Sequence, residues 1–526
     1  MKPLLTALLC FVQILLFAQF PIVTIDDRTY APNEPSIYIN PVNVAQIVAG
    51  SNINNLYVSN DTGRTWEQKY LRSSLGVYGD PVIYADEKGD YYFCHLAANK
   101  NKKYPHWIDK IVVQKSNNGG NDFSDGSSAG FNGDKEQDKH WIVTDQSKSK
   151  FKGNVYLSWT EFDKYESKAP NDHSRIRFAR SKDGAQSFEQ AITVSDTIGD
   201  CMDDDATLEG ATPAIGKNGE VYLAWAGYGK IYFDKSLDGG INWGRDKIIA
   251  IQEDGWAQDY DHIFRSNGLP FLVADHSAGR FDGRLYLTWG EKHPKVGGEI
   301  KLIYSDNGGE TWSEEITVNT ESNGDQFLPH IAVDQSDGNI YLVFYDRRHS
   351  ESNVLIDVYV AFSQDGGNSF SNQCITTEPF LPAGKSVFFG DYNGISAQNG
   401  IVRPIWTGVN DNIGGKTIIQ TALLSKDILY HKNQVRSDTF FYKYYIGKTF
   451  NQFVLYSGKP VEYNVQIKVK RFGYLPFKTT YKGKGNLAVG DTLVDMDLKT
   501  IKGKRTYIKL DLKFEDKKER INYTVE

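Results

Sequence analysis

One eight-residue pattern occurs six times along the chain and limits what the chain can fold into. Each copy has serine first, aspartate or asparagine third, glycine at the fourth or fifth position and an aromatic residue last. The copies are SNDTGRTW at 59, SNNGGNDF at 116, SKDGAQSF at 181, SLDGGINW at 236, SDNGGETW at 305 and SQDGGNSF at 363. Their starts lie 55 to 69 residues apart, which suits a four-stranded repeat with loops of variable length. The octet therefore predicts a β-propeller in which each repeat forms one blade.

A second pattern, rich in aromatic and β-branched residues, runs in phase with the octets and predicts one strand per repeat. Its copies are YYFCHLA at 91, NVYLSWTE at 154, EVYLAWAG at 220, RLYLTWGE at 284 and NIYLVFYD at 339, with weaker copies VAQIVAGS at 44 and IVRPIWTG at 401. These are seven strands against six octets, and SKD at 425 stands where a seventh octet would begin. We therefore predict seven blades, with six as the alternative.

A third segment precedes each of these strands and predicts the innermost strand of the blade. The segments are EPSIYINP at 34, DPVIYAD at 80, DKHWIVTD at 138, EGATPAIG at 209, DQFLPHIAVD at 325 and DYNGISA at 391. The fifth repeat departs from the pattern, with DHIFRSNGLPFLVAD at 261 in that place. We expect FPIVTI at 20 to supply the outer strand of the last blade, because closing the ring removes exposed sheet edges.

The regions flanking the repeats complete the predicted organisation, an all-β chain. Residues 1–19 contain one early lysine and a long apolar run, which is typical of a signal peptide. We expect an exported protein, either extracellular, periplasmic or attached to the cell surface, and no other segment has the length of a membrane span. Residues 20–428 form the predicted propeller. Residues 429–526 alternate polar and apolar positions, which predicts a small C-terminal β-sandwich.

Charge and cysteine content exclude several functional classes. The net charge of −7 comes from interspersed acids and bases, whereas nucleic-acid binding needs a concentrated basic face. The cysteines after the leader are Cys94, Cys201 and Cys374, an odd number without a CxxC pair. We therefore expect no disulfide framework and no zinc site. The sequence gives no indication of the oligomeric state.

The octets resemble the Asp-box, or BNR repeat, of sialidases and related secreted bacterial propellers. Their third residue is aspartate in four copies, but Asn118 and Asn307 replace it in the other two. An amide oxygen keeps the hydrogen-bond acceptor and loses the charge. We therefore interpret the octet as a structural turn between the third and outer strands, and expect the functional site on the opposite face.

The opposite face receives the starts of the inner strands and the ends of the strands that follow them. Acidic residues mark the inner starts in six of the seven repeats, which predicts an acidic collar around the axis: Glu34, Asp80, Asp138, Glu209, Asp325 and Asp391. Crowded carboxylates raise one another's pKa or require balancing cations. Lys139, Arg265, Arg347, Arg348 or a bound calcium ion could supply them. The sequence names no required cofactor and no metal-ligand set, and the acid run at 200–205 does not match a calcium-binding loop.

The resemblance to sialidases implies an arginine clamp, a tyrosine nucleophile with a glutamate base, and an aspartate acid. By position, the nucleophile would be Tyr392, its base Glu209 or Glu161, and the proton donor Asp138, with Asp391 as a further catalytic carboxylate. The substrate-binding candidates are Arg347, Arg348, Asp325, Gln326, Glu161 and Trp141.

Two functions from different classes remain open at this point. The first is a secreted sialidase-like glycoside hydrolase that acts on extracellular glycans, through either an acid pair or a tyrosine. The second is a non-catalytic propeller that binds a glycan or a protein at the cell surface. The absence of an Arg-Ile-Pro segment, which true sialidases carry at an early inner strand, favours the second.

Overall fold

The computed structural model describes residues 20–98, 108–293, 297–410 and 415–429 with their side chains, and thereafter the backbone of individual strands. The chain divides into two compact units. One spans Phe20–Lys426, and the other contains the strands that follow Asp427. The predicted signal peptide, residues 1–19, lies outside the described residues.

The first unit begins with β1 (Ile22–Asp26), and the first three blades follow it. Blade 1 contains β2 (Ser36–Ile39), β3 (Ile47–Ser51), β4 (Asn55–Ser59) and β5 (Glu67–Tyr70). Blade 2 contains β6 (Val82–Ala85), β7 (Tyr91–Ala97), β8 (Lys110–Ser116) and β9 (Ser127–Ala129). Blade 3 contains β10 (Glu136–Thr144), β11 (Val155–Phe162), β12 (Ser174–Ser181) and β13 (Ile192–Thr193).

The next blades repeat this antiparallel order after one insertion. Blade 4 contains β14 (Glu209–Ile215), β15 (Val221–Gly227), β16 (Lys230–Ser236) and β17 (Lys247–Ile251). The insertion is a pair of short strands, β18 (Ala257–Gln258) and β19 (Ser266–Asn267). Blade 5 contains β20 (Phe271–Ala274), β21 (Leu285–His293), β22 (Gly297–Ser305) and β23 (Ile316–Thr317). Blade 6 contains β24 (Gln326–Val333), β25 (Ile340–Asp346), β26 (Asp357–Ser363) and β27 (Ser371–Cys374).

Blade 7 closes the ring with strands from both ends of the unit. It contains β28 (Gly394–Gln398), β29 (Ile401–Asn410) and β30 (Lys416–Ala422), with β1 as its outer strand. The β1 strand runs antiparallel to β30, with Ile22 opposite Ala422. Each innermost strand contacts that of the next blade, and β28 contacts β2. The prediction of seven blades closed by the N-terminal segment is therefore confirmed.

Large aromatic side chains from the second strands fill the space between blades. Trp159, Trp225 and Trp289 occupy equivalent positions and are fully buried. Each belongs to an apolar cluster that joins two consecutive blades, such as the one that packs Trp159 against Cys94 and Ile111 of blade 2. Burial of such large rings supplies much of the apolar area that holds one blade on the next.

The octets form the turns between the third and outer strands. In the third octet, Asp183 Oδ1 accepts hydrogen bonds from the backbone N–H groups of Gln186 and Ser187, both at 3.0 Å. In the fifth, Asn307 Oδ1 accepts from the N–H of Thr311 at 3.0 Å, while its Nδ2 donates to the Thr311 hydroxyl. The amide thus reproduces the acceptor of the carboxylate, as the sequence indicated.

The seventh octet is reduced to its first residue. Ser425, in the short strand β31 (Leu424–Ser425), pairs with Ile401, the first residue of β29. Ser181 pairs with Val155 in the same register in blade 3. Residues 426–429 then form a helical turn rather than an octet turn. The register explains why SKD at 425 resembles the start of a seventh copy.

The strands after residue 429 form two further sheets. One contains β32 (Phe441–Ile446), β33 (Asn451–Tyr456) and β36 (Thr492–Asp495), and the other contains β34 (Val461–Lys470), β35 (Lys478–Leu487), β37 (Arg505–Lys513) and β38 (Lys518–Val525). The side chains of these strands lie outside the described residues, so the predicted β-sandwich stays a prediction. In the part of the chain that the structure describes, no helix has the length and apolar character needed to cross a membrane.

The octet geometry predicts that an amide can replace its carboxylate but a methyl group cannot. Asp183→Asn keeps the acceptor for the two N–H groups, and we expect it to change the free energy of unfolding by less than ~0.5 kcal/mol. Asp183→Ala removes the acceptor from both N–H groups, which are exposed and can bond to water instead, so it should cost ~0.5–1.5 kcal/mol. Thermal unfolding of the two variants measures the difference, and an equal loss for both would show that the octet needs the charge.

Candidate functional site

The inner strands are irregular where they enter the face opposite the octets. Register shifts occur between Asp138 and Trp141 in β10, and between Glu209 and Thr212 in β14. Lys139, within the first shift, has a φ of 47°. A bulge bends the strand and changes the direction of its side chains. These bulges therefore turn charged side chains toward the axis of the ring, at positions where an undistorted strand would continue its hydrogen bonds to the neighbouring strand.

The Lys139 ammonium group links four blades at this end of the axis. Its side chain is 9% exposed, and Nζ is bonded to the Asp391 carboxylate. The same Nζ lies 3.5 Å from Asp80 Oδ2 and 3.8 Å from Glu34 Oε1. Burial alone would lower the pKa of Lys139, but the surrounding carboxylates outweigh it and raise this pKa. Lys139 is therefore a permanent cation in the site.

Arg265 is the second cation, and it comes from the loop that joins β18 to β19. Its Nε and Nη2 donate to the two oxygens of Asp391, at 3.2 and 2.5 Å. Its Nη1 donates to Asp203 Oδ2 at 2.8 Å, and the Tyr165 hydroxyl donates to the same oxygen at 2.7 Å. The insertion between blades 4 and 5 thus delivers a forked, bidentate donor to the axis. We call the following residues the axial cluster: Glu34, Asp80, Asp138, Lys139, Asp203, Glu209, Arg265 and Asp391.

The axial carboxyl groups differ in their protonation. Burial would raise the pKa of Asp391, but Arg265 and Lys139 outweigh burial and hold it well below its usual range. Burial raises the pKa of Asp138 to about 7, opposed by Lys139 and reinforced by Asp80 and Asp203. The site therefore combines an ionised carboxylate with a carboxyl group that exchanges its proton near neutral pH.

Glu209 is the most enclosed acid of the cluster. It is 0% exposed, and neither carboxyl oxygen has a hydrogen-bond partner among the described residues. Burial, with the charges of Asp203 and Asp138, raises its pKa well above the usual value. The protonated form is therefore favoured at neutral pH, which leaves Glu209 unsuited to accept a proton there.

An aromatic layer lies beneath the charges. The ring of Trp141 packs against Phe271, His330 and Tyr392 with centroid distances of 5.1, 5.6 and 5.7 Å. Trp141 and Phe271 line both the small cavity under the cluster and a central channel of about 290 Å³. This layer limits the polarity around the carboxyl groups, which accounts for the large effect of burial on their pKa values.

Tyr392, the predicted nucleophile, belongs to this layer. It is 6% exposed, and its hydroxyl donates to the carbonyl oxygen of Pro81 at 3.2 Å rather than to a carboxylate. Burial, followed by the charges of Glu34 and Asp80, raises its pKa well above the usual value. The structure thus places Tyr392 at the axis but gives its hydroxyl no glutamate at hydrogen-bond distance among the described residues.

A cavity of about 280 Å³ opens above the cluster, and we call it the mouth cavity. Lys139, Asp203, Arg265 and Asp391 line it together with Phe264. Asp138 is 6% exposed and is adjacent in sequence to the lining residue Lys139. A ligand in the mouth cavity would therefore meet both cations and the ionised carboxylate.

The predicted arginine clamp lies elsewhere. Arg347 is 0% exposed, and its guanidinium group donates to the carbonyl oxygens of Asn353 and Asp261 at 2.9 and 2.8 Å. Arg348 donates from Nε and Nη2 to the same oxygen of Asp346, Oδ2, at 2.8 and 2.6 Å. Neither arginine contacts the axial cluster, and a substrate carboxylate could reach Arg347 only after displacing internal bonds.

The other predicted substrate-binding residues also serve loops away from the cluster. Asp325 accepts from the Gly298 N–H at 2.9 Å, and with Arg348 it lines a separate cavity of about 640 Å³. Gln326 is buried and accepts from Asn319 at 2.9 Å. Glu161 is 1% exposed and accepts from Arg175 at 3.0 Å. The structure therefore brings together the four catalytic candidates and Trp141, but not these residues.

Sequence reasoning missed Asp203, a member of the cluster, and Tyr165, which donates to it. Asp203 belongs to the acid run at 200–205, which matches no calcium-binding loop, and it pairs with Arg265 and Tyr165. Tyr165 stands at no inner-strand start, so the repeat pattern could not indicate it, and Arg265 was expected only as one of several balancing cations. Among the described residues no group of three or more histidine, cysteine or acidic side chains is arranged to hold a metal ion.

No protein-family model matches the chain, and no curated protein matches it. Solved structures with a similar fold include a protein of unknown function from Dyadobacter fermentans, at 13% identity and a TM-score of 0.43, covering 78% of this chain and 98% of the other. A polysaccharide lyase described as an ulvan lyase has 12% identity and a TM-score of 0.46, covering 77% and 96%. The Hadza microbial sialidase Hz136 has 12% identity and a TM-score of 0.42, covering 73% and 74%. Similarity at this level does not assign an activity, which has to be argued from the site.

The raised pKa of Asp138 predicts a pH-dependent gain in stability for Asp138→Asn. Between the unfolded pKa of ~3.9 and the folded value near 7, the folded protein retains a proton that the unfolded chain has released. Stability therefore falls as pH rises through this window. Asparagine has no such loss, so the variant should be more stable than the wild type at pH 8, by at most ~4 kcal/mol. Melting temperatures at pH 4.5 and 8 measure the effect, and a pH-independent difference would contradict it.

Proposed function

We propose that the protein is a secreted glycoside hydrolase that cleaves extracellular glycans with an acid pair at the axial cluster. The observation that carries the proposal is that the surroundings of two carboxyl groups shift their pKa values in opposite directions. Asp138 titrates near pH 7, and Asp391 stays ionised beside Arg265 and Lys139. Glycosidases need this combination, one carboxylic acid to protonate the leaving oxygen and one carboxylate opposite it.

In this proposal Asp138 donates its proton to the glycosidic oxygen as the bond to the anomeric carbon breaks. The Asp391 carboxylate stabilises the positive charge that develops on the sugar ring. Arg265 and Lys139 keep Asp391 ionised and fix its position, and Phe264 offers an apolar surface to a sugar ring in the mouth cavity. Water then adds through its oxygen to the anomeric carbon and gives one proton to the Asp138 carboxylate, which restores the acid.

The acid pair is better supported than an exo-α-sialidase mechanism. A sialidase clamp needs guanidinium groups available to the substrate carboxylate. Arg347 and Arg348 are engaged in internal bonds, and Arg265 already holds Asp391. The tyrosine mechanism likewise lacks an activated phenol, because Tyr392 is bonded to a backbone carbonyl.

The second candidate function is a propeller that binds glycan without cleaving it. One observation favours it: both oxygens of Asp391 are occupied by Arg265, so the cluster is closed by its own bonds. Release of sugar separates the two functions. The protein would be incubated with 3′-sialyllactose and with plant and algal polysaccharides, and new reducing ends would be measured. Binding without release from any of them would leave only the second function.

The proposed acid pair predicts the response to two amide substitutions. Asp138→Asn removes the proton donor and Asp391→Asn removes the anion, so each should lower kcat by at least ~100-fold. Asp204→Asn, in the exposed part of the neighbouring acid run, is the matched control and should keep full activity. Melting temperatures show whether each variant folds, and an active Asp138→Asn protein would exclude Asp138 as the acid.

The same proposal predicts the pH profile of the wild type. The active form of Asp138 is protonated, so kcat/KM should fall as pH rises through about 7 and decrease about tenfold per unit above it. Initial rates between pH 4 and 9 give the profile. A rate that increases from pH 6 to 9 would contradict an acid role.

Export is part of the proposal and is tested separately. If residues 1–19 are removed, the chain begins at Phe20, two residues before β1. The N-terminal sequence of protein recovered from the medium or periplasm of an expressing bacterium checks the cleavage position.

A further inference from the structure

Another cavity lies on the face that carries the axial cluster, beside blades 7 and 1. It has a volume of about 430 Å³, within the range of ligand-binding pockets, and we call it the tyrosine groove. Tyr30, Ile53 and Tyr70 line it and are 85%, 56% and 56% exposed. Exposed aromatic and aliphatic side chains that are gathered in one concave patch are typical of a ligand-binding groove.

The remaining lining of the tyrosine groove is uncharged, and apart from Ala31 and Phe388 it is polar. It includes Asn33, Asn52, Asn54 and Asn55. Asn33 and Asn55 are buried and donate to backbone carbonyl oxygens, so the half-buried Asn54 is the amide most open to a ligand. No charged side chain is present among the described residues that line the groove. Lys416 stands outside the lining, with its Nζ 6.0 Å from the centre of the Tyr30 ring. Aromatic faces combined with amides suit a ligand that has apolar ring faces and hydroxyl edges.

The groove is connected to the axial cluster through specific contacts. Asn52, one of its lining residues, is bonded to the Glu34 carboxylate and accepts from the Asp80 N–H at 2.7 Å. Phe388 also lines the groove, and its ring centre lies 5.0 Å from the Arg265 guanidinium carbon. Arg265 in turn lines the mouth cavity. Phe388 and Arg265 therefore form the boundary that the two cavities share.

We propose that the tyrosine groove binds the continuation of an uncharged polysaccharide chain whose reacting unit occupies the mouth cavity. The pyranose rings stack on Tyr30 and Tyr70, and their hydroxyl groups donate to the amide oxygen of Asn54, whose Nδ2 already donates to the Leu71 carbonyl oxygen at 3.2 Å. This inference rests on the proposed function and extends it, because it assigns a neutral, extended glycan as the substrate class. An anionic glycan would find no cation among the groove's described lining residues.

The test measures binding by isothermal titration calorimetry to the full-length Asp138→Asn protein, which prevents turnover. The neutral probes are cellohexaose, laminarihexaose and xylohexaose, with their disaccharides, and the charged probes are hexagalacturonate and 3′-sialyllactose. We expect at least one neutral hexasaccharide to bind ~10-fold more tightly than its disaccharide. Adding Tyr30→Ala and Tyr70→Ala together should weaken the hexasaccharide at least ~10-fold and abolish the advantage of length.

Two control variants isolate the groove. Tyr228→Ala removes a tyrosine that is 46% exposed on blade 4, outside the groove, and should leave affinity unchanged. Lys416→Met removes the cation near Tyr30 and should also leave it unchanged if the ligand is neutral. The substituted tyrosines are exposed, so melting temperatures should stay within a few degrees of the parent protein.

Several outcomes overturn the inference. They are unchanged hexasaccharide affinity in the double tyrosine variant, tyrosine-dependent binding of a charged probe only, and no binding of any neutral probe. The wild-type turnover assay distinguishes this failure from failure of the hydrolase proposal. Cleavage that depends on Asp138 but not on the tyrosines would rule out the proposed role of the groove and leave the hydrolase proposal standing. Binding that depends on the groove, without any cleavage, would rule out the hydrolase proposal and leave the groove as a glycan-binding site.

Discussion

The antiparallel pairing of β1 with β30 is the interaction on which the axial site depends. It places the two ends of the propeller in one sheet, so that blade 7 stands beside blade 1 and the ring has no open edge. The segments that enter these two blades then meet at the axis. Glu34 precedes β2 and Asp391 precedes β28, and Glu34 accepts from the Asp391 N–H at 3.1 Å. Without closure, Lys139 would lose Glu34 of blade 1 and Asp391 of blade 7 as partners. Its charge and those of the two carboxylates would then be unpaired or exposed to water.

The parts of this structure that could be predicted from sequence are those specified by short, repeated patterns. The octet fixes the turn between the third and outer strands, and its period counts the blades. Even the missing seventh turn was indicated, because Ser425 keeps the register of the other first serines. The acids at the inner-strand starts were found in the same way, since the repeat shows which residues face the axis.

The parts that could not be predicted come from insertions and from the direction of individual side chains. Arg265 was one of several candidate balancing cations, but its contacts depend on a two-stranded insertion that the repeat pattern does not describe, and Asp203 pairs with that arginine. Arg347 and Arg348 are neighbours in sequence, yet one is enclosed against backbone carbonyls and the other pairs with a carboxylate. Their placement depends on long-range packing that neither spacing nor composition encodes.

Charge balance in the cluster also limits which ligands the mouth cavity could accept. Among the described residues at the mouth cavity, the cations Lys139 and Arg265 are both paired with Asp391. An anionic sugar would have to displace that carboxylate from its partners, which leaves a buried charge unpaired at high cost. A neutral sugar meets no such penalty, because it needs only the aromatic surface of Phe264 and hydrogen bonds to groups that remain paired. The electrostatics of the axis and the uncharged lining of the tyrosine groove therefore favour the same class of ligand for independent reasons.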